Sequence, residues 1–303
     1  MTAKYLVQDI ETIPETELAA DWEVDKARMV ARGIDDPFPG IVYHKVICIG
    51  MLTLDLDYKP VRSGCAEGGV QGGKSEKEMI EKWNKIAWGG GGVGHQLRLV
   101  DWHGRGFDVP VLQTRALRYG LQLPWYFGKV TDNRGEISSF SKEYRDRYGG
   151  WHEDLAEYWT NRGAFPRPHM ASLAKLIGLP GKTDVDGSKV YDLWKDYRRH
   201  LGYATEDGSY HVRDGRMTED ELRVAQARNM EVAQEVAKQI DSYCMQDVFQ
   251  TAFILQRLRY LAGELDLGKY KAAATALLEH MRGLPEQADF VEGVNLPSLL
   301  LES

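Results

Sequence analysis

The sequence predicts an α/β protein in which helices cover a mixed sheet. Strand-like segments crowd the first part of the chain and helical ones dominate later, an order that suits a covered sheet rather than a bundle or a sandwich. The segment from about Glu221 to Arg259 carries the 3.6-residue apolar spacing of a buried helix face, through Val236, Ile240, Tyr243, Cys244, Val248, Thr251, Leu255 and Leu258. A carboxylate, Asp247, interrupts that stripe one turn after Tyr243. Burying it is costly unless a cation meets it, so the chain must supply either a basic partner or more carboxylates around a metal.

The elements follow in order. Lys4 to Glu11 alternates with Tyr5, Val7, Asp9 and Glu11 on one face, and both faces are apolar enough for a central strand. A proline-bearing connection with Pro14, Pro37 and Pro39 follows, helical in part between Glu15 and Arg32. His44 to Thr53 reads as a second strand and Lys59 to Ser63 as a weaker third, before a glycine-rich loop from Gly64 to Gly73. Ser75 and Glu78 form a capping box ahead of a helix to about Trp88. Gln96 to Trp102 is a fourth strand; it turns through His103-Gly-Arg-Gly106 into a helix from Phe107 to about Tyr119. Residues 125–150 read as a polar loop, and Trp151 to Leu155 as a short fifth strand. Helices are expected at Met170 to Ile177, at Ser188 to His200 and at Leu265 to Met281, with a hairpin at 203–217 and a frayed tail. The expected division is a domain over 1–262 and a helical extension over 263–303.

The net charge of −7 excludes nucleic-acid binding through bulk charge, so any such contact must rest on metal ions and a few basic side chains. Cys48, Cys65 and Cys244 are far apart in sequence and form no CxxC pair, which argues against a disulfide framework or a zinc–cysteine site. No apolar run is long enough for a bilayer, and a strand begins almost at once where a leader would stand. The expected location is the cytoplasm.

With 45 acidic residues, about seven carboxylate pairs at i, i+2 arise by chance, so no pair is specific alone. Context selects a set. Asp9 and Glu11 end the first strand, Asp108 opens a helix beyond another strand, and Tyr243 and Asp247 are helix neighbours. Four carboxylates from distant segments suit two divalent ions about 3.5–4 Å apart that activate a water and stabilise a leaving phosphodiester oxygen. Asp9 could bridge both ions, Glu11 and Asp247 complete one site and Asp108 hold the second, with the Tyr243 hydroxyl orienting water. The plainer alternative pairs Asp9, Glu11 and Asp247 with basic residues and leaves Asp108 as a helix N-terminal acid.

Asp9-Ile-Glu-Thr12, His103-Gly-Arg-Gly-Phe-Asp108 and Tyr243-Cys-Met-Gln-Asp247 resemble the three motifs of the DEDD exonuclease superfamily. More narrowly, the chain resembles the predicted 3′–5′ exonucleases related to the proofreading domain of family B DNA polymerases. Ser172 to Lys182 and Asp186 to Val190 resemble that family's linker before the third motif. The resemblance spans roughly residues 4–260. It implies a ribonuclease H-like, five-stranded mixed sheet in the order 3-2-1-4-5, flanked by helices. It implies Mg²⁺ or Mn²⁺, two ions per site, held by Asp9, Glu11, Asp108 and Asp247, with Tyr243 marking the tyrosine (DEDDy) subtype. The substrate implied is a single-stranded nucleic acid with a free 3′ end, DNA favoured over RNA, with a polymerase or helicase acting in trans. Thr12, His103 and Phe107 are the expected nucleotide-binding residues. Phe107 either wedges against the terminal base or packs under the sheet. Lys182 reads by default as an exposed loop lysine, and Trp125, Tyr126 and Phe127 as core.

Two departures stand out. His103 replaces the family's usual Asn, and residues from about 200 to 228 run longer than the pattern, as an insertion would. Rival readings are a 3′–5′ exoribonuclease with the same site, a non-catalytic nucleic-acid-binding module, and an unrelated metal phosphoesterase.

Overall fold

The computed structural model describes residues 3–89, 96–127, 144–146, 150–161, 164–181, 187–201 and 219–302. The expectations for Lys182, for the 203–217 hairpin, for most of the 200–228 insertion and for much of the polar loop after Phe127 lie outside these residues.

The chain begins with β1 (Tyr5–Pro14), a 3-10 turn at Thr16–Leu18 and α1 (Ala19–Val30). It continues through β2 (His44–Leu54), β3 (Pro60–Cys65), α2 (Glu76–Ala87), β4 (Arg98–Asp101), α3 (Asp108–Tyr119), β5 (His152–Asp154) and α4 (Leu155–Thr160). After these come α5 (Met170–Leu176), α6 (Gly187–His200), α7 (Glu219–Leu261), α8 (Leu267–Arg282), α9 (Ala288–Glu292) and α10 (Leu296–Leu300). The capping box is present: the Ser75 amide donates to Glu78 Oε2 at 2.9 Å, and the Glu78 amide donates to Ser75 Oγ at 3.3 Å.

The five strands lie in the order β3-β2-β1-β4-β5, the ribonuclease H-like arrangement. β2 is antiparallel to β1 and β3, while β4 and β5 run parallel to β1. Strand alternation divides the side chains between two faces. Leu6, Ile10, Val46, Ile49, Met51 and Leu99 pack under α2 and α3 with Trp83, Leu112 and Trp125. Tyr5, Val7, Leu52, Leu54 and Val100 pack against α7. Asp9 and Glu11 share the parity of Tyr5 and Val7 and therefore face α7 as well. A register shift opposite Glu11/Thr12 makes Ile47 an extra residue in β2. Ile47 and Cys48 are adjacent in sequence, yet both join the cluster beneath α6 and the first half of α7, as a bulge allows.

The sheet's other face is locked electrostatically. The Arg115 guanidinium on α3 donates to both Glu76 carboxylate oxygens at 2.6 Å and to Glu15 Oε2 at 2.7 Å, all three groups buried. This ties the capped end of α2 to α3 and to the chain leaving β1.

α7 spans 43 residues, about 65 Å at helical rise. The expected stripe is buried except for the half-buried Val236, but nearly every residue from Ile240 to Gln256 is buried too, not one face only. The outer face is covered by α8, α9 and α10. The frayed tail expected from the sequence is therefore not what the chain forms. Phe290 and Leu299 are completely buried in the same core as α7 and α8. The Arg257 guanidinium donates to the carbonyls of Ser298 and Leu299 at 2.9 Å, and the Asn295 amide donates to Gly178 O at 2.8 Å. Helices of five residues are too short to show periodicity, which is why pattern reading missed them.

Candidate active site

β1 and α7 build one half of the site. Asp9 and Glu11, two residues apart on β1, point to the α7 side, and a carboxylate oxygen of each lies within 4.8 Å of the other and of Cys244 Sγ. Directly above, Tyr243 and Asp247 occupy successive turns of α7. The Tyr243 hydroxyl hydrogen-bonds to Asp247. Burial first, then the charges of Asp247, Glu11 and Asp9, push its ionisation far above the ordinary tyrosine range. Gln250 Nε2 also donates to Asp247 Oδ1, at 3.5 Å. Glu11, Tyr243 and Asp247 are each buried, while Asp9 is half-buried.

The height of α7 over these carboxylates is set by Gly50. This residue pairs with Asp9 across the β1–β2 ladder. A methyl group on it would stand 2.9 Å from both Cys244 Sγ and Val248 Cγ2, so the missing side chain lets the helix seat on the strand.

β4 and β5 build the other half. The turn His103-Gly-Arg-Gly106 wraps two carboxylates. Asp101 Oδ1 accepts from the Gly104 amide at 3.2 Å, and Asp154 accepts from the His103 and Arg105 amides at 2.8 and 3.2 Å. His152 Nε2 lies 2.6 Å from Asp101 Oδ2, and Gln8, held by the Trp83 indole, donates to the same oxygen at 3.5 Å. A Cβ on Gly104 would fall 2.0 Å from the Asp101 carboxylate, so that glycine is obligatory. Burial, and then the charge of Asp101, push the Asp154 carboxyl up to about 6.

Asp108 opens α3 immediately after this turn. Burial raises its ionisation well above the carboxylate range; the nearby charges of Asp101 and then Asp154 add to the effect, and hydrogen bonding to its own backbone and to that of Ile10 opposes it. Ile10 lies between Asp9 and Glu11, so Asp108 stands against the stretch of β1 that carries both. The structure thus gathers Asp9, Glu11, Tyr243 and Asp247 into one group and brings Asp108 to the same strand. The like charges acting most strongly on Asp108 are Asp101 and Asp154.

The three expected nucleotide-binding residues separate into two places. Thr12 Oγ1 lies 3.0 Å from His44 Nδ1, and His44 Nε2 lies 3.1 Å from the Pro39 carbonyl. A carbonyl only accepts, so Nε2 carries the proton and Thr12 donates to Nδ1. Burial lowers the His44 ionisation and favours this neutral form. Phe107 is half-buried, and the structure shows the packing role expected for it. It packs against the core under α2 and α3, and it forms an aromatic group with His44 at 4.9 Å and the exposed Phe38 at 5.7 Å.

His103 faces elsewhere. It adopts a left-handed backbone, φ +66°, a region in which Asn and His are both enriched. It lines a cleft of about 780 Å³ with Arg105, Arg145, Phe165, Arg167 and His169. Partial burial there, then the Arg167 charge, lower its ionisation. Asp101, Asp154, Phe38 and Arg167 were not singled out from the sequence. The two aspartates could have been, because both end strands, β4 and β5, whereas β1 runs on past Asp9 and Glu11 to Pro14. Phe38 and Arg167 sit in irregular segments that carry no periodic signal.

The donor set suits hard divalent cations, which take carboxylate oxygens and keep water and phosphate oxygens as further ligands. A family model described as a predicted 3′–5′ exonuclease related to the exonuclease domain of PolB matches residues 36–201, more than half of the chain. The matched segment holds Asp101, Asp108 and Asp154 and leaves β1 and α7 outside it. No curated protein and no solved structure matches the chain. Among the described residues, no helix is long and apolar enough to cross a membrane.

Proposed function

We propose that this protein, which belongs to the family of predicted 3′–5′ exonucleases related to the exonuclease domain of PolB, removes nucleotides one at a time from the 3′ end of single-stranded DNA. One observation carries the reading: carboxylates from β1 and from α7, more than 230 residues apart, converge on the Tyr243 hydroxyl, and the strongest charges acting on that hydroxyl are all negative. Such a concentration of negative charge calls for cations.

Asp9, Glu11 and Asp247 would hold one divalent ion, and Asp9 and Asp108 a second. When bound, Mg²⁺ or Mn²⁺ supplies an activated water and charge stabilisation at the scissile phosphate. The remaining work falls to the chain. In the metal-free protein the Tyr243 hydroxyl stays protonated, and the role assigned to it is that of a hydroxyl that orients the attacking water. Asp247 fixes the direction of that hydroxyl. The terminal base stacks on the group formed by Phe107 and Phe38, since aromatic stacking accepts any base. The preceding phosphates follow the cleft past Arg145 and Arg167, whose guanidinium groups stand there beside the carboxylates of Asp154 and Glu157.

The test is digestion of a 5′-labelled single-stranded DNA and its RNA counterpart with Mg²⁺, Mn²⁺ or EDTA, beside Asp9→Ala protein. The expected result is a metal-dependent ladder that shortens the DNA from its 3′ end and is absent in the variant. Unchanged digestion by highly purified Asp9→Ala protein would overturn the assignment. Preferential digestion of the RNA would keep the chemistry and reverse the substrate.

A further inference from the structure

The three cysteines, far apart in sequence, meet in space. Cys48 comes from β2, Cys65 ends β3 and Cys244 sits on α7. The sulfurs of Cys48 and Cys65 and a carboxylate oxygen of Asp241 all lie within 4.8 Å of one another. The Cys48 thiol also interacts with that of Cys244.

We propose that Cys48, Cys65 and Asp241 form a binding site for one thiophilic divalent cation of the Zn²⁺ class, with Cys244 as the adjoining fourth donor. Two thiolates and a carboxylate, with a third thiol beside them, make up a donor set that Zn²⁺ accepts in tetrahedral sites. It differs in kind from the all-oxygen set of Asp9, Glu11, Asp108 and Asp247, and soft and hard ions sort between such sites.

Three features go beyond proximity. Asp241 is oriented as a ligating carboxylate needs to be. It accepts from the Val70 amide at 2.8 Å, from the Gln71 amide at 3.0 Å and from Gln71 Nε2 at 3.1 Å. The turn that supplies these donors is shaped for the purpose, because a side chain on Gly69 would fall 2.2 Å from Asp241 Oδ1. There is also a way in: Cys48 and Cys244 are buried, but Cys65 is only half-buried and opens the site at the end of β3.

The same geometry disfavours the other use of paired thiols. Cys65 pairs with Gly50, so it lies diagonally from Cys48 across the β2–β3 ladder. Diagonal neighbours have Cα atoms about 7–8 Å apart. That is beyond the usual reach of a disulfide, whereas a shared metal spans it.

The ion would clasp α7 to the β2–β3 hairpin. That junction carries Tyr243 and Asp247 over Asp9 and Glu11, and Cys244 Sγ stands 3.8 Å from Asp9 Oδ2. The inference does not depend on the nuclease reading.

The experiment is a Co²⁺ titration of the reduced, metal-free full chain, followed by near-ultraviolet thiolate-to-cobalt charge transfer. Carboxylate-bound Co²⁺ lacks this absorption, so the two sites are read apart. One thiolate-bound ion per chain is expected in the parent and equally in Asp9→Ala. In Cys65→Ser, altered at the half-buried position so that folding is retained, affinity should fall at least tenfold. Equimolar Zn²⁺ should raise the melting temperature of the parent and not that of Cys65→Ser. The proposal is overturned if all three thiols titrate as reduced and no charge transfer appears. It is equally overturned if folded Cys65→Ser keeps the full signal.

Discussion

Two acidic centres lie on neighbouring parts of the sheet, one on β1 beneath α7 and one at the ends of β4 and β5, and they are built differently. At the β4–β5 end, Asp101 and Asp154 are satisfied locally. Backbone amides of the 103–106 turn, together with His152, surround them within hydrogen-bond distance. At the β1–α7 end, Asp9, Glu11 and Asp247 act together on the Tyr243 hydroxyl because a helix more than 200 residues later lies on Gly50. The first centre is a scaffold that shapes the turn ahead of Asp108. The second concentrates negative charge on one neutral hydroxyl. Counting carboxylates does not distinguish them; the source of their donors does.

The difference can be broken by substitution, beginning with its largest expected effect. Asp9→Ala or Asp247→Ala should lower the hydrolysis rate on the order of a thousandfold, about 4 kcal/mol of transition-state stabilisation, with circular dichroism unchanged. In the metal-free state Asp247→Leu should melt no lower than the parent and up to about 4 kcal/mol more stably, because a buried charge is gone. A clear loss of stability in that variant would show that Asp247 is a structural partner instead.

The scaffold centre should instead report through pH. The Asp154 carboxyl titrates at about 6 in the fold and near 3.8 when unfolded. Between those values the folded state holds more protons at Asp154, so that residue's contribution to the stability of the metal-free protein should fall as pH rises from about 4 to 6 and then level. The full change is at most about 3 kcal/mol. Asp154→Asn should make that fall shallower in urea unfolding measured across pH, and an unchanged slope would remove Asp154 as a source of it.

Gly50→Ala tests how the two halves are held together. A methyl group there must lift α7, and a displacement of roughly 1 Å can cost about a hundredfold in rate. The expected signature is a lost rate with metal binding weakened, while Asp101 and Asp154 keep their contacts. Tyr243→Phe should slow hydrolysis about ten- to a hundredfold, the value of one orienting hydrogen bond to a charged partner. Calorimetry should find metal affinity unchanged; its disappearance would make Tyr243 a ligand. The smallest effect belongs to His103. His103→Asn preserves a residue that tolerates the left-handed backbone and should leave stability within about 1 kcal/mol, whereas His103→Val should cost about 1–2 kcal/mol in thermal unfolding.

Much of this was legible in the chain. The alternation of β1, the capping box at Ser75 and the stripe of α7 are local patterns, and each element formed where its period placed it. The three motifs singled out Asp9, Glu11, Asp108, Tyr243 and Asp247, and the fold places the first two beside Tyr243 and Asp247 and sets Asp108 against the same strand. Local sequence fixes such features because backbone geometry ties side-chain direction to spacing of two or of about four residues. The rest depended on packing between distant segments. Only the fold placed Phe38 against Phe107, wrapped Asp101 and Asp154 in the amides of one turn, and buried Phe290 and Leu299 on the outer face of α7. It also drew Cys48, Cys65 and Cys244 together, which their spacing in sequence argued against. Contacts of that kind follow from which strand pairs with which and from where a missing side chain lets a helix settle, and a one-dimensional pattern carries neither.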